Sequence, residues 1–452
     1  MAEDTSLELG SELAERLRSA STAPLPDAVE LEAARSLLNV LATCIGASQQ
    51  PAVAIVLGVA DRLGSPRTAP VPGRRERCDR HHAALATGIA AHLDDFDDTH
   101  LETVIHPGAA CLASGFPLGV EVGASGPAFL TAFALGIETQ LRIGKAMSPA
   151  HYDEGWHITG TVGAIGAAVT AGLLLGLDTE QLDVAISIAA AHPLGHRESF
   201  GTMEKAFHPG RAAAWGITSA ALANAGYPAF RHIFEGPAGY FGVLSALNQP
   251  EVVLAAWGGT WEILSNTYKP YPCGIVCHPA IDAAIAIRRR GFDPGTVRGI
   301  DIHCNPLVAE LTGNPNPGDG LEARFSTIHG VAAGLADGRV GLAQYADDRV
   351  ISPDLVRLRS FARLLPDPSV RRDAAVLEVK LAGGEVLREE VTHARGSLER
   401  PLTDAELREK AEGLIEPVLP GRTGIVMQAV RELAGADGLA GLLEAVTPEG
   451  GP

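Results

Sequence analysis

From Ala28 to about Trp261, apolar residues recur at helical spacing in long Ala- and Leu-rich runs broken by Gly, Pro and Asp. VELEAARSLLNVLATCIGAS, PAFLTAFALGIETQLRIGKAM, TEQLDVAISIAAAH and GRAAAWGITSAALANAG each predict a helix. The period changes near Ser265. AIDAAIAIRRR still reads as a helix, but VRGIDIHC alternates like a strand, and AAVLEVKLAGGEVLREEVTHARG gives two alternating runs around Gly-Gly, a β-hairpin pattern. Thr403 and Glu406 form a capping box that opens another helix, DAELREKAEGLIEPV. The pattern predicts a mainly α chain: a large all-helical domain over 1–265, a smaller α+β domain over 266–397, and C-terminal helices over 398–452 that return to the helical domain. Residues 1–8 and the tail TPEGGP are expected to fray.

Composition narrows the function. A chain of 452 residues is too long for one ordinary core, and 46% apolar with 20% charged residues fits a globular enzyme. A net charge of −18 argues against nucleic acid and against anionic membrane surfaces. It also makes any local cluster of Lys and His stand out. Six scattered cysteines suggest free thiols of a cytoplasmic protein rather than a disulfide framework. The acidic N-terminus lacks the basic and apolar regions of a signal peptide. The uncharged stretch 158–177 is long enough to span a bilayer. Without a second such span or a basic flank, and with small residues at Gly160, Ala164, Ala168 and Gly172, it reads as a buried core helix.

The candidate chemistry starts at AHLDDFDDTHLETVIHP, residues 91–107, where four aspartates follow an apolar run. Carboxylates that close repel one another unless something compensates. Asp94, Asp95 and Asp98 fit the magnesium-binding pattern DDxxD, but the partner motif Asn-x3-Ser/Thr-x3-Glu is absent. Solvated helix-end charge is a second reading, although the helix dipole favours carboxylates at an N-terminus and these follow the apolar run. The third is an aspartate held near cationic Lys or His. Only five of the 36 basic residues are lysines, and Lys205 and Lys269 both lie in apolar, turn-rich segments beside histidine. His106, His157, His208 and His278 fall at expected helix–loop edges; three of them precede Pro, which favours turns.

HLDDFDDTHLETVIHP, GWHITGTVGAIGAA, FGTMEKAFHPGRAAAWG and KPYPCGIVCHPAID resemble the recurring blocks of the MmgE/PrpD family, and RFSTIHGVAAGLADG and GSLERPLTDAELREK resemble its later blocks. That family includes 2-methylcitrate dehydratase, cis-aconitate decarboxylase and iminodisuccinate epimerase. The resemblance implies a helical domain with an α+β lid, a homodimer, and active-site positions at Asp95, Thr99, His106, His157, Lys205 and Lys269. His208, Tyr271, His278 and His329 are expected to join them in binding substrate. His329 stands where the decarboxylase branch has tyrosine, which counts against decarboxylation.

Such a set suits the removal of a proton beside a carboxylate, with Lys and His stabilising the charge that develops and Asp95 or a histidine as base. The first expectation is a lyase resembling 2-methylcitrate dehydratase, acting on a small hydroxylated di- or tricarboxylate. An epimerase comes second and a decarboxylase third. A non-catalytic binding protein on the same scaffold is the alternative class. No cofactor is expected: no phosphate-binding glycine motif occurs, and Cys273-x3-Cys277-His278 lacks the CxxC pair of an iron–sulfur or similar metal site.

Overall fold

The computed structural model describes residues 8–450. Up to Tyr268 the regular structure is almost all helix, joined by loops and a few two-residue strands. Around the site stand α1 (Asp27–Ala47), α2 (Arg80–His92), α3 (Pro107–Val122), α4 (Gly126–Met147), α5 (Ile158–Leu174), α6 (Thr179–Ala190) and α7 (Met203–Asn224). The apolar stretch recognised in the sequence forms α5, which is buried all round from Ile158 to Gly172. It packs against α3, α4, α6 and α7. Among the described residues, no single helix is long and apolar enough to cross a membrane.

Small residues set how closely these helices approach. A Cβ on Gly88 would lie 2.5 Å from Gly210 Cα, so α2 and α7 touch backbone to backbone at that crossing. His92 lies one turn beyond Gly88 and Lys205 just over one turn before Gly210. The close crossing therefore brings their side chains together.

His208 corrects an expectation. It lies inside α7 rather than in a turn, and Pro209 follows it within the helix. The pre-proline bias is a local preference. Here the burial of Ala206, Ala212, Ala213 and Ala214 outweighs it. Pro209 cannot donate to the carbonyl of Lys205, so that helical bond is missing one turn above the site.

Past Tyr268 a second core begins. A short strand β1 (Thr99–His100) pairs antiparallel with β2 (Asn266–Thr267), tying the aspartate segment to the chain that leads out of the helical region. Then come α8 (His278–Arg288), β3 (Val297–Cys304), α9 (Thr327–Asp337), β4 (Ala362–Pro366), β5 (Ala375–Leu381) and β6 (Val386–Val391). The sheet order is β4-β3-β5-β6, with β3 parallel to β4 and the other pairs antiparallel. Ile300, Ile302 and Cys304 point into this core, while Asp301 between them faces out to Arg363 and Lys380. The chain is thus mainly α with a small α+β part.

The C-terminal α10 (Asp404–Ile415) opens with the Thr403–Glu406 capping box and packs on α1. Its Leu407, Leu414 and Ile415 share the core of the helical region. The expected fraying falls partly outside the described residues (1–7, 451 and 452). Where the tail is described it is held down, with Glu449 paired to Arg422 at 2.7 Å. All six cysteines are unpaired and buried.

Candidate active site

The aspartate segment leaves the end of α2 and crosses the junction between the two cores. Its four carboxylates are all buried, and they face three separate sets of partners. Asp94 turns to the smaller core, where Arg324 Nη2 donates to its Oδ1 at 2.7 Å and Arg324 Nη1 to its carbonyl at 2.8 Å. Asp98 turns back into the helices, accepting from Ser36 Oγ and Asn266 Nδ2, both at 2.6 Å, and from the Gly108 N–H that opens α3. Burial raises its carboxyl to about 6, against the pull of those donors. Asp94, Asp95 and Asp98 therefore do not converge as the ligands of one metal ion.

Asp95 is the centre. Lys205 Nζ donates to its Oδ1 at 2.6 Å, and Lys269 Nζ stands 3.1 Å from the same oxygen. Burial would raise its carboxyl, but the two ammonium groups and the nearby His106 and His92 rings hold it well below the usual range. Its backbone adopts φ 49°, and Val104 on the same loop adopts φ 57°. Left-handed geometry is costly for any side chain and worst for a β-branched one, so both residues hold strain at the site.

Behind Lys205 runs a chain of hydrogen bonds. His92 Nε2 lies 2.8 Å from Lys205 Nζ, and His92 Nδ1 lies 2.8 Å from Asp97 Oδ2. An ammonium can only donate and a carboxylate only accepts, so His92 carries its proton on Nδ1 and accepts at Nε2. Burial lowers its pKa to about 4, keeping the ring neutral, although Asp97 pulls the other way. Lys205 also sits over the Phe200 and Phe325 rings, at 5.2 and 5.4 Å. Burial lowers its pKa too, against the opposing charge of Asp95. Lys269 is anchored by the carbonyls of Asp95 (2.9 Å) and Cys273 (3.3 Å).

Two imidazoles complete the set. His106 caps α3; its Nδ1 faces the Asp98 carbonyl (3.1 Å), Thr99 Oγ1 (3.2 Å) and Asp97 Oδ1 (3.3 Å). Its Nε2 is left toward Asp95 Oδ1, 4.0 Å away. His157 caps α5, and its Nδ1 meets His208 Nδ1 at 2.8 Å, while its buried Nε2 has no partner. Burial depresses both rings, so both are neutral near pH 7.

Asp95, Thr99, His106, His157, Lys205 and Lys269 line one cavity of about 40 Å³ at the junction of the cores, together with Tyr152, Phe200, Thr312 and Phe325. His208 lies directly behind His157. His278 lines a neighbouring cavity instead. Tyr271 and His329 are not among the residues lining either cavity. Tyr271 gives its hydroxyl to Asp282 at 2.6 Å. His329 spends Nε2 on the Gln344 carbonyl (2.8 Å) and Nδ1 on Arg359 (3.1 Å).

Sequence reasoning passed over His92, Asp97, Arg324 and the two phenylalanines. The signal was that all five lie inside the blocks HLDDFDDTHLETVIHP, FGTMEKAFHPGRAAAWG and RFSTIHGVAAGLADG, where no single role had been given to them. His92, His106 and His157 offer ring nitrogens within 4.8 Å of one another, a spacing that could hold a metal ion. In this arrangement the Lys205 ammonium takes the His92 lone pair that such an ion would need. Cys277 accepts instead from Thr327 Oγ1 at 3.2 Å, within the smaller core.

Residues 11–253 match the MmgE/PrpD N-terminal domain and residues 271–433 the MmgE/PrpD C-terminal domain. The chain is 28% identical over 345 residues to a cis-aconitate decarboxylase of Homo sapiens, covering 73% of this chain and 71% of that one. It is 26% identical over 381 residues to the cis-aconitate decarboxylase-like protein oryM of Aspergillus oryzae, covering 77% and 78%. A cis-aconitate decarboxylase of Aspergillus terreus is 25% identical over 305 residues, covering 60% and 61%.

Proposed function

This chain belongs to the MmgE/PrpD family, and on that premise we propose that it is a lyase acting at the carbon beside a carboxylate of a small polycarboxylate. The observation that carries the reading is the pair of buried ammonium groups, Lys205 and Lys269, facing the same cavity as two neutral imidazoles. Negative charge that develops on a substrate carboxylate is stabilised there by preorganised cations in a site shielded from water.

The geometry favours His106 over Asp95 as the base. Asp95 is clamped by two ammonium groups and held well below the usual carboxylate range, which makes it a poor proton acceptor. His106 gives its Nδ1 side to backbone and hydroxyl partners and leaves Nε2 for the substrate. Asp95 instead positions the two lysines. His157 suits the acid. One proton lies between the two Nδ1 atoms of His157 and His208. When His208 holds it, a neutral His157 carries its own proton on Nε2 and presents a donor to the cavity.

In a dehydration, His106 Nε2 takes the proton beside the carboxylate and the electron pair delocalises onto that carboxylate. The pair then forms the carbon–carbon double bond as the neighbouring C–O bond breaks, and His157 protonates the departing hydroxyl to water. The names of the relatives favour a second reading, decarboxylation, in which the C–CO2 bond supplies the electron pair and an imidazole protonates carbon. His329, whose identity counts against it in the sequence, is not among the residues lining either cavity. Citrate, 2-methylcitrate and cis-aconitate in heavy water separate these outcomes. Loss of water gives new ultraviolet absorbance, and decarboxylation releases CO2. Solvent exchange with neither product would replace the lyase with an epimerase, and no exchange or turnover on any polycarboxylate would leave the site without this function.

A further inference from the structure

The catalytic cavity, at about 40 Å³, has room for about three waters and is well below the usual range for small-molecule sites. A polycarboxylate held there extends beyond it, and two directions are open. Past Phe200, Leu311 and Phe325 lies a wide cleft of about 910 Å³. Its lining sets Asp153, Glu198, Glu310 and Glu322 against Arg197, an unfavourable field for an anion. Past Val104, Tyr152, Ile275 and Val276 lies a cavity of about 390 Å³, within the usual range for small-molecule sites. Leu101, Pro149, Ile275 and Leu307 give it apolar walls, and Arg371, Arg372 and Arg395 nearly balance its four carboxylates.

Two further features mark this second cavity. His278 on its lining is 1% exposed, and its Nε2 has no hydrogen-bond partner. A buried imidazole nitrogen left unpaired is costly, and a polar group on a ligand would complete it. Val104, one of the residues shared between the two cavities, is held at the strained φ of 57°. A β-branched residue in that geometry is kept there by its surroundings, as at many ligand clamps.

We infer that the second cavity is a subsite of the same active site, and that it takes an alkyl arm, carrying a hydrogen-bonding group, on the carboxylate substrate. The inference rests on the function proposed above. It makes Val104, Leu307 and His278 determinants of substrate size rather than of chemistry.

The test needs no turnover. Succinate and its 2-methyl, 2-ethyl, 2-propyl and 2-butyl derivatives are titrated calorimetrically into the intact protein. Affinity is expected to rise by up to roughly fourfold per methylene, the gain of burying each one. A 2-(4-hydroxybutyl) arm is expected to retain its affinity better in the native protein than in His278→Phe. Leu307→Trp, which narrows the second cavity, should bring the ratio of butylsuccinate to succinate affinity back toward one. Succinate binding with no dependence on arm length would overturn this inference alone. Failure of succinate and every derivative to bind would overturn it together with the proposed function.

Discussion

His157 and His329 are both fully buried, both begin or nearly begin a helix, and both lie in segments that look alike in sequence. Their surroundings differ in one respect. His329 has a partner on each ring nitrogen. So does His151, bonded to the Leu244 carbonyl at 2.6 Å and to Thr161 Oγ1 at 2.8 Å. His157 has a partner on one side only, and its ring is among those lining a cavity. His106 shows the same asymmetry. Burial and rarity do not distinguish a structural histidine from a chemical one in this chain; unfinished hydrogen bonding beside empty space does. A folded protein normally satisfies its buried polar atoms, so an atom left over points to something that arrives later.

The sharpest way to break the comparison is to replace one histidine of each kind. His106→Gln should lower turnover by two to four orders of magnitude, roughly the range of general acid–base catalysis, with the unfolding midpoint little changed. His329→Gln should do the reverse: turnover within a few-fold of the native protein, and stability lower by about 1–3 kcal/mol because Arg359 and the Gln344 carbonyl lose their partner. If His329→Gln abolished turnover while the fold stayed intact, the comparison would fail. Steady-state rates and urea unfolding of both variants read this directly.

A smaller effect is expected from the lysines. Lys205→Met should cost about a hundred- to a thousand-fold in kcat/KM, the loss of one preorganised charge contact. The fold should survive, since Lys269 still holds Asp95 and circular dichroism can show it. A variant with native kcat/KM would mean that Lys205 only neutralises Asp95.

The mildest test is titration. Burial lowers His92, His100, His151, His208 and His329 to about 4 and His278 to about 3. Between those values and the unfolded value near 6.5, the unfolded chain binds more protons than the native one. Stability is therefore complete above about pH 6.5 and falls as the pH drops toward 4, by up to roughly 1.4 kcal/mol per unit for each such group. Asp98, raised to about 6, and Glu32, raised to about 7, oppose this, as does Glu138, all three lifted by burial, but they are fewer than the rings. The urea midpoint should fall steeply from pH 6.5 to 4.5, and His329→Gln should make that fall shallower by one proton. A flat profile would mean that the buried rings are not neutral.

Much was legible in the chain. Helical spacing up to Trp261, alternation after Ser265 and the capping box at Thr403 all depend on contacts between near neighbours, and the structure shows the corresponding elements. The small residues of α5 foretold close packing for the same reason. Six of the ten expected site residues line one cavity, and each lies in a motif that resembles the family's blocks. The placement of His208 inside α7 was not legible. A proline's local bias is visible in sequence, while the buried surface that overrides it is not.

What the sequence by itself determined was therefore the list of elements and the chemical types at their ends, because propensity, capping and hydrophobic period act over a few residues. Only the tertiary structure decided which aspartate meets the lysines and which meet Arg324 or Ser36. It also recruited His92 and Asp97 and turned Tyr271 and His329 away from the cavity. Several of those outcomes depend on contacts between residues more than a hundred positions apart, such as Lys205 with Asp95 and Arg324 with Asp94. The backbone-close crossing at Gly88 and Gly210 fixes that geometry. A buried charge must find its partner wherever the packing puts one, and the packing of two cores against each other is not written in any single segment.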